Sequence, residues 1–180
     1  KNGACHLLEF VCRRQRRVVR TTYSAELNGL IDSVETAILV QILMHQIWHG
    51  CAQSASELAR AQESGQLAPV IKAATDARAV FDSIRAPDVC EPAESSLKLH
   101  LLAMRDKVEC GIVKELYWLD TRNMLADGLT KGAVNREALT NAAEKGSVQV
   151  KHDVQKTCAR VTLEEVYFVH TWSSSAGVRG

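Results

Sequence analysis

The feature that most constrains the fold is a long amphipathic segment between Thr22 and His49. Its apolar residues recur at helical spacing along one face: Leu27, Leu30, Ile31, Val34, Ile38 and Ile42. Gly50 follows the last turn, at a position where glycine commonly ends a helix. The pattern therefore predicts one long helix with a single apolar face, and the domain must be large enough to cover that face.

The rest of the sequence alternates between strand-like and helix-like patterns. Short apolar runs predict strands at 4–12, 69–75, 112–119 and 160–169. Helical spacing, capping residues and terminal glycines predict helices at 55–64, 77–84, 92–109 and 135–145, with one more capped by Asp120 or Thr121 and carrying Asp127. The chain has 180 residues, of which 46% are apolar and 24% charged, which suits one globular domain. Alternating strands and helices predict an α/β fold.

The cysteines and the apolar runs exclude several classes of protein. The six cysteines form no closely spaced pair of the zinc-ribbon type, and nothing resembles a secretory signal. Free thiols in a reducing, intracellular compartment are therefore expected. The apolar run at 37–44 is too short to cross a bilayer, so no membrane partner is expected. The chain begins without methionine, and we interpret it as a fragment of a longer polypeptide.

Three acidic residues occupy related positions in the predicted elements. Glu26 lies in the first turns of the long helix, Asp76 at the end of a strand, and Asp127 on a helix that follows a strand. Acids at neighbouring element ends can meet at one edge of a sheet, where their mutual repulsion favours a bound cation. Carboxylate oxygens suit Mg²⁺ or Mn²⁺, and a pair of such ions supports phosphodiester hydrolysis. Chance is the alternative, because 21 acids leave some near element ends in any case.

A dense basic stretch lies just upstream of the long helix. The segment "RRQRRVVR" contains five arginines in a chain whose net charge is only +1: Arg13, Arg14, Arg16, Arg17 and Arg20. Arginine forks match phosphate oxygens, so this stretch favours contact with a nucleic-acid backbone. A solvated strand edge and a nuclear localisation signal remain alternatives.

Several motifs resemble the ribonuclease H domain of copia-type retrotransposon Pol polyproteins. "TTYSAEL" is similar to the helix start of that domain, and "TDARAVFDSI" is similar to its strand-end T-D motif. The stretch "MRDKVECGIVKELYWLDTRNMLADGLTKG" resembles its end, where a helix, a glycine turn, a strand and an A-D-x-x-T-K motif follow in order. The order holds from about Ala4 to Gly132, and "LADGLTK" is the most specific part.

The resemblance implies a fold, an activity and a setting. The fold would be a ribonuclease H-like mixed sheet flanked by helices over residues 1–132, with 133–180 as a C-terminal extension. The reaction would be hydrolysis of the RNA strand of an RNA–DNA hybrid by a two-metal mechanism during reverse transcription. Glu26, Asp76 and Asp127 would be its catalytic, metal-binding residues. The reverse transcriptase domain of the same polyprotein would be a partner, in a cytoplasmic retroelement particle or the nucleus.

The chain also departs from the family pattern. Ribonuclease H sites usually contain a fourth carboxylate on the opening strand, and no counterpart precedes Glu26, because the context of Glu9 does not match. The domain is therefore expected to be truncated at its N-terminal edge. Losing one carboxylate of such a set often costs orders of magnitude in rate. We expect residues 1–180 alone to be nearly inactive, and the alternative is a catalytically dead, nucleic-acid-binding remnant.

Overall fold

The computed structural model describes residues 2–5, 8, 21–50, 53–88, 95–125, 136–156 and 168–170. Its helices are α1 (Thr22–His49), α2 (Ala55–Glu63), α3 (Arg78–Arg85), α4 (Ser96–Glu109) and α5 (Glu137–Lys145), with a 3₁₀ turn at Thr121–Asn123. Its strands are β1 (Asn2–Ala4), β2 (Ile71–Thr75), β3 (Val113–Leu119), β4 (Ser147–Gln149), β5 (Val154–Lys156) and β6 (Phe168–His170).

The long helix predicted from the sequence is confirmed, as is its predicted end at Gly50. The Thr21 hydroxyl caps the N-terminus by accepting a hydrogen bond from the backbone N–H of Ser24 at 3.1 Å. Gly50 ends the helix in the left-handed region, with φ 63°. The capping box predicted for the next helix is also present, because Ser54 and Glu57 each accept from the other's backbone N–H.

A four-stranded mixed sheet with the strand order β5-β3-β2-β6 lies at the centre of the domain. β2 runs parallel to both β3 and β6, whereas β5 runs antiparallel to β3. β1 and β4 form a separate antiparallel pair. The α/β class expected from the sequence is therefore confirmed. The segment after residue 133 contributes β5 and β6 to the main sheet.

One face of the main sheet carries the larger core. The helices α1, α3 and α4 cover this face, and their buried side chains meet those of β2 and β3. Phe81, Leu30, Leu101 and Leu116 are all fully buried there. All five residues of β2 are buried, as expected for a strand with a neighbour on each side. This packing holds the start of α1 and the end of β2 in fixed positions.

Gln41 fixes the direction of α1 relative to β2. Its side-chain amide is 5% exposed and donates to the carbonyl of Leu67 at 3.2 Å and to that of Pro69 at 2.6 Å. One turn later, Nδ1 of His45 accepts from the backbone N–H of Ala68 at 3.1 Å. These contacts place the C-terminal half of α1 beside the entry to β2. The helix and the strand therefore run in opposite directions.

The N-terminal segment differs from the expected buried strand at 4–12. Among the described residues, strand β1 ends at Ala4 and pairs with β4 rather than with the main sheet. Cys5 donates its backbone N–H to Gly146, and Leu8 is 61% exposed. A buried strand through Leu8 is therefore wrong, because Leu8 itself is exposed and has no strand conformation. The remaining residues of 4–12, and Pro92 at the predicted start of α4, lie outside the described residues.

Helix α1 is long and apolar enough to cross a membrane by length and composition alone. The shorter apolar run at 37–44, taken by itself, did not indicate this. The most apolar window of α1 has a mean hydropathy of 1.4, and a third of that window is buried inside the domain. The outer face of its C-terminal half carries exposed Leu39, Leu43 and Ile47. Its inner face supplies Leu27 and Leu30 to the core, so α1 serves as a core helix of the domain.

Replacing Gln41 with leucine tests the contact that orients α1. The change keeps the approximate size of the side chain and removes the donor for two strand-entry carbonyls. We expect the free energy of unfolding, measured by urea denaturation, to fall by about 1–3 kcal/mol. Gln46→Leu on the same helix is the control and should change it by less than about 0.5 kcal/mol. Equal stability of the Gln41 variant and the unchanged protein would contradict this role.

Candidate functional site

The first two predicted site residues lie at the same end of the main sheet. Glu26 is in the second turn of α1, Asp76 directly follows β2, and both side chains are half-buried. From Glu26 to the anchor at Gln41 the helix extends roughly 22 Å. From Pro69, the other side of that anchor, through β2 to Asp76 the chain extends at most roughly 23 Å. Because helix and strand are antiparallel, these similar lengths direct Glu26 and Asp76 toward the same end of β2.

Side-chain hydrogen bonds hold the peptide that joins Asp76 to Ala77. Its N–H donates to Oγ1 of the fully buried Thr75 at 3.1 Å. Its carbonyl oxygen accepts from the indole N–H of Trp118 at 3.0 Å. Thr75 comes from the same strand, and Trp118 comes from the neighbouring strand β3. Asp76 is therefore attached to the sheet at the point where the chain leaves β2 for α3.

Arg78 packs over this corner from the first turn of α3. Its guanidinium lies 5.2 Å from the ring centroid of Trp118, a cation–π distance. Its Nε donates to Asp82 at 2.8 Å, and its Nη1 donates to the side-chain oxygen of Gln155 on β5 at 2.6 Å. Arg78 thus connects the end of β2 with the edge strand of the sheet.

The third predicted ligand, Asp127, lies outside the described residues. The helix predicted to carry it begins as expected, because the Asp120 side chain accepts from the backbone N–H of Arg122 at 2.9 Å. The capped helix is however a single 3₁₀ turn that ends at Asn123, since Met124 has extended backbone. Because residues 126–135 lie outside the described part of the chain, the helical position of Asp127 stays a prediction. Hydrogen bonds from the Arg122 guanidinium, and then the one from its backbone N–H, lower the pKa of Asp120.

The predicted metal set falls only partly within the described structure, and the basic stretch lies outside it. Among the residues it describes, no group of three or more histidine, cysteine, aspartate or glutamate side chains can hold a metal ion. Glu26 and Asp76 are two carboxylates of the predicted set, and the third is not among those residues. The predicted nucleic-acid-binding arginines also lie outside the described part of the chain: Arg13, Arg14, Arg16, Arg17 and Arg20.

A second polar cluster lies on the opposite face of the main sheet. Glu115 on β3 accepts hydrogen bonds from Nζ of Lys156 on β5 and from the hydroxyl of Tyr117. Nζ of Lys72 on β2 lies 3.6 Å from the same carboxylate. The three charged side chains are between 11% and 13% exposed, so solvent screens their interactions only weakly. The cluster ties three adjacent strands together.

Two pKa values in this cluster are shifted in opposite directions. Burial favours a higher pKa for Glu115, but the hydrogen bonds from Lys156 and Tyr117 and the charges of Lys72 and Lys156 outweigh it, so the pKa is lowered. Burial and the hydrogen bond to Glu115 raise the pKa of Tyr117. Glu115 is therefore held as a carboxylate and Tyr117 as a neutral phenol.

Sequence reasoning missed two residues that shape this part of the fold. A lysine inside the apolar run "PVIKAAT" was a usable signal, because a charge in an interior strand needs a partner. Nothing in the sequence pairs Lys72 with Glu115, since the parallel register of β2 and β3 sets that pairing. Nothing in the sequence links Trp118 to Asp76 either, since that contact depends on the same register.

Comparison of the chain with protein families, with curated proteins and with solved structures found no match. The functional assignment therefore depends on the sequence motifs and on the geometry of the described residues.

Replacing Glu115 with glutamine tests the charged cluster through its pH dependence. Because its pKa is lowered on folding, the carboxylate stabilises the folded state fully above its ordinary value of 4.5, and this contribution is lost as the pH falls further. We expect the loss of stability caused by Glu115→Gln, measured by urea denaturation, to be larger at about pH 7 than at about pH 3. The exposed Glu63→Gln is the control. A pH-independent difference between the Glu115 variant and the unchanged protein would refute the interpretation.

Proposed function

We propose that this chain is a ribonuclease H-type domain that acts on the RNA strand of an RNA–DNA hybrid in a copia-like retroelement. The observation that supports it best is the position of Glu26 and Asp76 at one end of the main sheet. Both residues come from the motifs that resemble the family. Support comes from the antiparallel packing of α1 along β2, which directs both residues toward one end of the sheet although they are far apart in sequence.

The fold of the described residues is compatible with a ribonuclease H-like arrangement. The strand that precedes Asp76 lies inside a mixed sheet, and the helix that carries Glu26 packs on one face of that sheet. The chain returns through α3 and α4 on the same face before entering β3, which runs parallel to β2. The order of these elements is the order in which the family motifs occur.

Glu26, Asp76 and Asp127 would hold Mg²⁺ or Mn²⁺, since all three offer the hard oxygen ligands that these ions prefer. When bound, such ions supply an activated water for in-line attack on a phosphodiester and stabilise the leaving oxygen. The half-buried setting of Glu26 and Asp76 limits the water around their carboxylates. Hydrolysis of this kind leaves a 3′-hydroxyl and a 5′-phosphate and requires no side-chain nucleophile.

The proposed substrate contact uses the basic stretch before α1. Because α1 begins at Thr22 and carries Glu26 in its second turn, the arginines lie close in sequence to the proposed metal site. Phosphate contacts from these arginines would hold a hybrid by its backbone without reading its bases. The reverse transcriptase domain of the same polyprotein would supply the hybrid, in a retroelement particle or in the nucleus.

Metal binding provides the first test of the site. We expect Glu26→Gln, Asp76→Asn and Asp127→Asn each to weaken Mn²⁺ binding, measured by electron paramagnetic resonance, by tenfold or more, because each removes one oxygen ligand. Asp88→Asn and Glu63→Gln are controls, since both residues are exposed, Glu63 on α2 and Asp88 in the loop after α3. Equal Mn²⁺ affinity in the site variants and the controls would disprove a shared metal site.

A hydrolysis assay distinguishes the proposed enzyme from the alternative, a catalytically dead remnant that only binds nucleic acid. The same variants are assayed on a labelled hybrid with Mg²⁺, together with a chain extended upstream by a strand that bears the family's first aspartate. Cleavage of the RNA strand by the extended chain, and its loss in Asp76→Asn, would support the proposed reaction. Hybrid binding without any cleavage by the extended chain would support the non-enzymatic alternative instead.

The basic stretch is tested by reversing two of its charges. We expect Arg16→Glu with Arg17→Glu to weaken hybrid binding and to flatten its dependence on salt, because fewer counterions are released on binding. Fluorescence anisotropy at several salt concentrations measures both quantities. Arg60→Glu with Arg85→Glu, at exposed positions on α2 and α3, is the matched control. An unchanged salt slope in the first double variant would exclude phosphate contact by these arginines.

A further inference from the structure

We infer that Trp118 is a positioning residue for Asp76. This inference rests on the proposed function, because it assigns Asp76 a role as a metal ligand. Trp118 lies near the end of β3, directly beside Thr75 in the parallel register of β2 and β3. Its indole N–H reaches across to the backbone carbonyl of Asp76 at 3.0 Å. Trp118 thus contacts the residue whose carboxylate has to point toward the proposed metal ion.

The held peptide is the one that sets the direction of the Asp76 side chain. The carbonyl of Asp76 and the N–H of Ala77 belong to a single planar unit. Trp118 binds the oxygen side of this unit, and Oγ1 of Thr75 binds the nitrogen side. A peptide bound at both sides cannot rotate without breaking a hydrogen bond. Rotation about the two bonds that flank this unit, Cα–C of Asp76 and N–Cα of Ala77, is therefore restricted.

The indole itself is held in place by its neighbours. It packs against the larger core on one side, and the Arg78 guanidinium stacks over its ring at 5.2 Å. Arg78 is in turn bound to Asp82 and Gln155. The indole N–H is therefore presented from a fixed position, as is required of a group that orients a ligand through a hydrogen bond.

The role differs from simple packing in one property. A packing residue needs only the shape of the aromatic ring, whereas a positioning residue needs the indole N–H. Trp118→Phe keeps an aromatic ring in the core and beneath Arg78, but it removes the donor to Asp76. Trp48→Phe is the matched control, because Trp48 is 54% exposed at the end of α1, away from this contact.

The experiment measures two quantities on the full chain in the unchanged protein, Trp118→Phe, Trp48→Phe and Asp76→Asn. Amide hydrogen exchange of Ala77, followed by NMR, reports on the held peptide. Mn²⁺ affinity, followed by electron paramagnetic resonance, reports on metal binding by the Asp76 carboxylate. We expect Trp118→Phe to accelerate exchange at Ala77 and to weaken Mn²⁺ binding on the order of tenfold. Trp48→Phe should change neither quantity.

The outcomes distinguish this inference from the proposed function. Unchanged exchange at Ala77 in Trp118→Phe would overturn the positioning role. Faster exchange would overturn it as well if Trp118→Phe kept the Mn²⁺ affinity of the unchanged protein while Asp76→Asn lost it. The hydrogen bond from Trp118 would then have no effect on metal binding by Asp76. Faster exchange in Trp118→Phe, with the unchanged protein binding Mn²⁺ no better than Asp76→Asn, would refute the metal site and would leave Trp118 as a residue that only fixes the backbone.

Discussion

The pair of hydrogen bonds from Gln41 to the carbonyls of Leu67 and Pro69 is the contact on which the arrangement of the domain depends. A buried amide in an apolar helix is costly unless its polar atoms find partners. The entry to β2 supplies acceptors that the strand itself does not use. With this point fixed, the apolar stripe of α1 lies along the sheet in one direction only. The position of Glu26 relative to Asp76 follows from that direction.

The two faces of the main sheet are stabilised in different ways. One face is covered by α1, α3 and α4 and is held by close packing of apolar side chains such as Phe81 and Leu101. The other combines a small apolar cluster around Leu119 with the charged group centred on Glu115. Buried ion pairs contribute little net stability but penalise any arrangement that separates them. The charged group therefore favours one register of β2, β3 and β5 over its alternatives.

Local sequence signals predicted the ends of helices well, because a helix end depends on residues close to it in the sequence. The capping box at Ser54 and the glycine stop at Gly50 concern groups within a few residues of each other, and both are confirmed. Pairing between distant segments was not predictable in the same way. The N-terminal segment shows this, because "ACHLLEFVC" has the composition of an interior strand although Leu8 is exposed. Composition reports the preference of a segment and not the presence of a neighbouring strand.

The sheet also has a consequence for how this protein is made. β2 is completed on one side by β6, which follows it by roughly 95 residues, and β3 is bordered by β5. During synthesis, the apolar β2 therefore leaves the ribosome long before its neighbour on that side exists. Pairing across such a separation is slow, and an uncovered strand invites association with other nascent chains. A chaperone that shields this strand until translation ends would suit the order in which the sheet is assembled.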